Sequence, residues 1–167
     1  MRRPPLSIWT MVLALATAWS CGSALAQAPE GLQESDPPVR VGRLAYISGD
    51  VSFSPAGNDE WVHAHVNRPV VAGDKLWADN NAHAELAVDN SVWWLGEQTS
   101  VVVSNLDDRI VQLSLQQGTL EVRVRRFAEG NIVEVDTPNL AFSITRPGRY
   151  RIEVEPQDGT TSVIVRA

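Results

Sequence analysis

The chain has 167 residues, with 14 Lys and Arg against 20 Asp and Glu, a formal net charge of −6, and a hydrophobic share of 44%. That length suits one domain with its own core, and the acidic balance repels phosphate backbones, which excludes nucleic acid as an expected partner. Cys21 is the only cysteine, which excludes a disulfide framework.

Arg2 and Arg3 precede an apolar run from Leu6 to Trp19, and small residues follow up to Ala24-Leu25-Ala26. This is the order of a secretory signal peptide over residues 1–26, with Ala24 and Ala26 at the shallow pockets of the peptidase and the cut before Gln27. The apolar run falls short of the roughly 20 residues that a membrane-spanning helix needs, so no transmembrane anchor is expected after cleavage. Lipidation at Cys21 is the alternative, and the bulky Trp19 just ahead of it argues against that route. Removing the leader takes two arginines with it and leaves 12 basic residues against 20 acidic ones, a net charge of −8, and no thiol. Residues 27–40 are polar, contain Pro29, Pro37 and Pro38, and show no periodicity, so they read as a flexible linker.

From residue 41 to 167 the chain alternates in short segments broken by turn residues, the pattern of an all-β domain. Leu120, Val122 and Val124 alternate with Glu121, Arg123 and Arg125, and Tyr150, Ile152 and Val154 alternate with Arg149, Arg151, Glu153 and Glu155. Each of these strands therefore buries one face and wets the other. Pro55-Ala56-Gly57-Asn58, Asp89-Asn90, Arg146-Pro147-Gly148 and Asp158-Gly159 supply residues that let strands reverse. The segments predict about a dozen short strands, near 41–47, 50–54, 60–66, 74–78, 83–88, 91–95, 100–104, 109–115, 118–126, 131–136, 139–145, 148–155 and 160–166. A sandwich, a roll or a solenoid-like stack would satisfy this spacing, but no fixed-period repeat supports a regular array.

Several short motifs recur in a set order: Val41-Gly42-Arg43-Leu44, Gly49-Asp50-Val51, Trp61, Val71-Ala72-Gly73-Asp74-Lys75-Leu76, Ala84-Glu85-Leu86 and Asp89-Asn90-Ser91-Val92. Leu115-Gln116-Gln117-Gly118-Thr119-Leu120, Asp136-Thr137-Pro138 and Pro147-Gly148-Arg149-Tyr150-Arg151-Ile152 complete the series. Taken together they resemble the periplasmic FecR domain, most closely in exported FecR-like proteins where the domain directly follows a signal peptide. The resemblance implies a non-enzymatic sensory or protein-interaction role in the bacterial envelope. In the regulators of that family a cytoplasmic segment binds a sigma factor; only a handful of residues precede the leader here, so that contact is not expected. The family pattern continues past the position of Ala167 with Gly and another strand, so a shortened member with a bare last strand is expected.

Candidate chemistry is sparse. His63 and His65 share a strand face and would need a third ligand such as His83 or Asp79 to hold zinc; solvated histidines are the commoner outcome. Asp107-Asp108 and Asp79-Asn80-Asn81 carry oxygen ligands, yet read as turns. No serine elbow, zinc-protease helix motif or phosphate loop occurs in the sequence, so neither an enzyme nor a cofactor is expected. Trp61, Trp77, Trp93 and Trp94 remain after cleavage, and the adjacent Trp93 and Trp94 must point to opposite faces. One of these two is the candidate partner-binding anchor, although in a two-layer β protein burial on both sides is the commoner outcome. Arg123, Arg125 and Arg126 form a basic stripe near Glu121 and Glu129, most simply a solvated ladder. The sequence therefore predicts a periplasmic or secreted module that binds an envelope protein, with cell-wall glycan as the alternative ligand.

Overall fold

The computed structural model describes residues 40–127 and 129–166; the leader, its cleavage positions Ala24, Ala26 and Gln27, and the linker up to Val39 lie outside them. Arg40, placed by sequence at the end of the linker, belongs to the folded body. Its side chain is 12% exposed, pairs with Asp89 at 2.6 Å, and donates to the Asp108 carbonyl.

Thirteen strands form among the described residues: β1 (Gly42–Ser48), β2 (Val51–Ser54), β3 (Val62–His63), β4 (Pro69–Val70), β5 (Lys75–Ala78), β6 (His83–Val88) and β7 (Ser91–Leu95), followed by β8 (Thr99–Leu106), β9 (Ile110–Val124), β10 (Ile132–Asp136), β11 (Ala141–Ile144), β12 (Gly148–Glu155) and β13 (Thr160–Arg166). The fold is all-β as expected, and it takes the form of a curled, almost wholly antiparallel sheet. The sheet has two arms that share β9. The first runs β4-β1-β6-β7-β9-β12-β13 and the second β3-β2-β5-β8-β9-β10-β11. Among the described residues only β9 and β10 pair in parallel.

The double role of β9 explains why its sequence reads as two separate strands. Val111, Leu113 and Leu115 are buried in its first half, whereas Leu120, Val122 and Val124 are buried in its second, so the inward positions change from odd to even numbers. Gly118 lies between the halves at φ +87°, a conformation that glycine adopts without steric cost. One extra residue at this corner restores the inward phase as β9 passes from one arm to the other, and the strand bends instead of ending. Thr99, fully buried, fastens the corner: its Oγ1 accepts the Thr119 N–H at 3.0 Å.

Other departures are local. The expected strand 60–66 pairs only over Val62 and His63, because the chain turns at Asn67 with φ +69°, and Pro69–Val70 then pairs as β4 against β1. One hydrophobic core takes residues from both arms, among them Leu44, Phe53, Leu76, Leu86, Trp93, Leu113, Leu120 and Ile152.

Turn chemistry follows the sequence. Asp79 Oδ1 accepts the Asn80 N–H, and Asn81 adopts φ +56°. At the β8–β9 turn, Asp107 Oδ1 accepts the N–H groups of Arg109 at 2.8 Å and Ile110 at 2.9 Å. Those two bonds, helped by the charges of Arg40 and Arg109, hold the Asp107 carboxyl below its ordinary range. Its contribution to stability is present above the unfolded carboxyl's pKa and is lost as pH falls through the lower folded value. A carbon-detected NMR titration should therefore find Asp107 more acidic than an aspartate in an unstructured peptide. An ordinary value would mean that the turn bonds do not hold in solution.

Candidate functional site

The outward face of the first arm gathers the side chains with most to offer a partner. Strand register places Tyr46 beside Glu85, Glu85 beside Trp94, Trp94 beside Glu121, Glu121 beside Arg151 and Arg151 beside Ile164. One cross-strand row thus draws a residue from each of six strands. The exposed ends of the row are Tyr46 (56%) and Ile164 (45%). Trp94 lies half-buried between them, its indole N–H donating to Glu85 Oε2 at 2.9 Å. That bond fixes the ring while part of the side chain stays accessible, which suits an amphipathic anchor.

A second row lies one pleat away: Val92 beside Arg123, Arg123 beside Arg149, and Arg149 beside Arg166. Arg149 Nε reaches Glu121 Oε1 at 3.1 Å, and Arg151 reaches Glu153 at 3.7 Å. A cleft of about 560 Å³ opens here between Arg123, Arg125, Gly148, Arg149 and Arg166. At the opposite end of the face, a polar hollow of about 480 Å³ lies among His83, Gly96, Thr119 and Glu153.

The two candidate anchors part company. Trp93 is fully buried, with its indole N–H donating to the buried Ser91 hydroxyl at 2.8 Å, so its ring belongs to the core and offers nothing to a partner. Trp94, on the opposite side of the strand, reaches the surface. Trp77 is half-buried on the second arm, and Trp61 is 47% exposed just before β3. His63 and His65 meet edge to face at 5.5 Å between ring centroids. Among the described residues no group of three or more His, Cys, Asp or Glu is arranged to hold a metal ion, so neither His83 nor Asp79 joins them.

Sequence reasoning missed Tyr46, Glu85 and Ile164, and it missed the alignment of Arg123 with Arg149 and Arg166. Period-two alternation marks Glu85, Ile164 and the three arginines as outward but would place Tyr46 on the side of the buried Leu44, and a register shift between Leu44 and Tyr46 turns it out; which strands become neighbours is not written in any one segment.

Fold and face define an all-β domain whose curled sheet carries a row of aromatic and charged side chains on one surface. Over residues 74–167, more than half of its length, the chain matches the FecR protein family, and it belongs to that family. No curated protein and no solved structure matches the chain. The family match begins one residue before β5, so β1 to β4 precede it. These strands are nevertheless integral to the fold: β1 pairs with β6, β2 pairs with β5, and Leu44, Val51, Phe53 and Val70 are essentially fully buried.

Proposed function

We propose that this chain is an exported, non-enzymatic FecR-family module of the periplasm or cell exterior, which docks an envelope protein in a sensory or regulatory contact. The observation that carries this reading is the cross-strand row from Tyr46 to Ile164. It brings Tyr, Trp and Arg, the residue types that dominate protein interfaces, onto one rigid surface with an exposed aliphatic residue at its end. Membership of the FecR family supports the envelope setting.

The test is cross-linking in living cells from a photoreactive residue at Tyr46, compared with one at Ser143 on the second arm. The expected result is an adduct with one envelope protein from position 46, lost on Arg151→Glu and absent from position 143. Equal adducts from both positions would overturn the docking face.

A second reading has its own observation. Trp94 sits half-buried between Glu85 and Glu121, an aromatic surface flanked by acceptors, as sugar rings require. Quenching of tryptophan fluorescence by peptidoglycan fragments, abolished in Trp94→Phe, would transfer the face to cell-wall glycan.

A further inference from the structure

We propose that the arginine-lined cleft at the end of the first arm is an anion site for a small, soluble molecule bearing phosphoryl groups. This site lies one pleat from the aromatic row and touches it through the Arg149–Glu121 pair, but it does not depend on the protein-docking reading. Arg123 on β9 stands directly opposite Arg149 on β12, which stands directly opposite Arg166 on β13. Arg125 and the side-chain-free Gly148 border the same shallow, open cleft.

Like charges in directly opposed positions destabilise a sheet, and this row sets three in succession. Compensation within the protein is thin. The Arg149 Nε is engaged by Glu121, and among the described residues no carboxylate pairs with Arg123 or Arg166. The chain as a whole carries a net charge of −6, so the positive row is not the surplus of a basic protein.

Geometry selects the class of anion. Neighbouring strands lie about 4.8 Å apart, so three guanidinium groups in one row span about 10 Å. Each presents a planar fork of donors, has no acceptor, and stays charged. A lone carboxylate satisfies one fork. A phosphoryl group offers three acceptor oxygens and close to two charges, and a diphosphate extends that along the row. Net charge selects the source: a small anion is governed by the arginines within a Debye length of about 8 Å, whereas an anionic membrane is repelled by the acidic surface around them.

The test is calorimetric titration of the purified chain with pyrophosphate, in parallel with sedimentation against phosphatidylglycerol and phosphatidylcholine vesicles. Pyrophosphate is expected to bind, with affinity about tenfold lower in Arg123→Gln and in Arg149→Gln and unchanged in Arg109→Gln, which alters an arginine outside the cleft. Without ligand, Arg123→Gln should unfold at or above the wild-type midpoint, because it relieves repulsion; loss of binding is then not loss of fold. Three results overturn the site: no heat with millimolar pyrophosphate, equal weakening by Arg109→Gln, or retention on phosphatidylglycerol vesicles without pyrophosphate binding, which would give the cleft to a membrane surface.

Discussion

Replacing Gly118 by alanine is expected to remove about 3–5 kcal/mol of folding stability, a large part of the roughly 5–15 kcal/mol that a domain possesses. Two effects add at this corner. The left-handed backbone at φ +87° disfavours any residue with a Cβ. The new methyl group would also meet the Gln98 carbonyl oxygen at 2.6 Å and the Thr99 Cα at 2.7 Å. Both obstacles are backbone atoms, which cannot rotate away, so the corner must open and Thr99 must give up its bond to the Thr119 N–H. Gly57 provides the control. It has φ +72°, but a methyl group there would meet nothing within 4 Å, so Gly57→Ala should cost only the backbone share, about 1 kcal/mol. Urea unfolding followed by tryptophan fluorescence separates the two variants. Equal losses would mean that packing at the corner of β9 contributes nothing.

Asp74→Ala is expected to cost about 2 kcal/mol, because it removes at once the acceptor of two part-buried backbone N–H groups. Asp74 is 3% exposed; its Oδ1 accepts the Ala56 N–H at 2.9 Å and its Oδ2 accepts the Val71 N–H at 2.8 Å. One carboxylate thereby ties the loop after β2 to the turn that leads into β5. The preceding Gly73 has φ +91°, and a Cβ there would lie 2.8 Å from the Ala56 Cβ, so the same junction demands both residues. Asparagine at position 74 keeps one bond and turns an NH₂ group toward the other donor, and it should recover little. Asp59→Ala, which removes an exposed partner of Lys75, should change stability by less than about 1 kcal/mol. If Asp74→Ala unfolded at the same urea concentration as Asp59→Ala, the buried carboxylate would not be the tie.

Much of this fold is legible in the sequence wherever a strand has one dry face and one wet face. β12 is the clearest case: Tyr150, Ile152 and Val154 are buried and Arg149 and Arg151 exposed, as their alternation requires. The turns at Asp79 and Asp107 are legible for a different reason, since their side chains bond locally and need no distant partner. Legibility fails where the cause is non-local. The change of phase across Gly118 looks like the end of one strand and the start of another until β7, β8, β10 and β12 are seen to share β9. The two-residue strands β3 and β4 are too short to show a period. The candidate face fails in the same way: apart from Tyr46, which an irregularity in β1 turns outward, the residues of its row are visibly outward, but the row exists only through the pairing of six strands. Trp93 and Trp94 mark the boundary between the two situations. Sequence alone requires that they diverge, and only the curl of the sheet decides which of them enters the core.

The continuous β9 also governs how the domain can come apart. Its first half is held by β8 and β10, and its second half by β7 and β12. No loop lies along the join that could act as a hinge or be cut to release an intact half, and each arm would lose its central strand if the other melted. The domain therefore opens as one cooperative unit, and any change that loosens one arm weakens the other through the same fifteen residues.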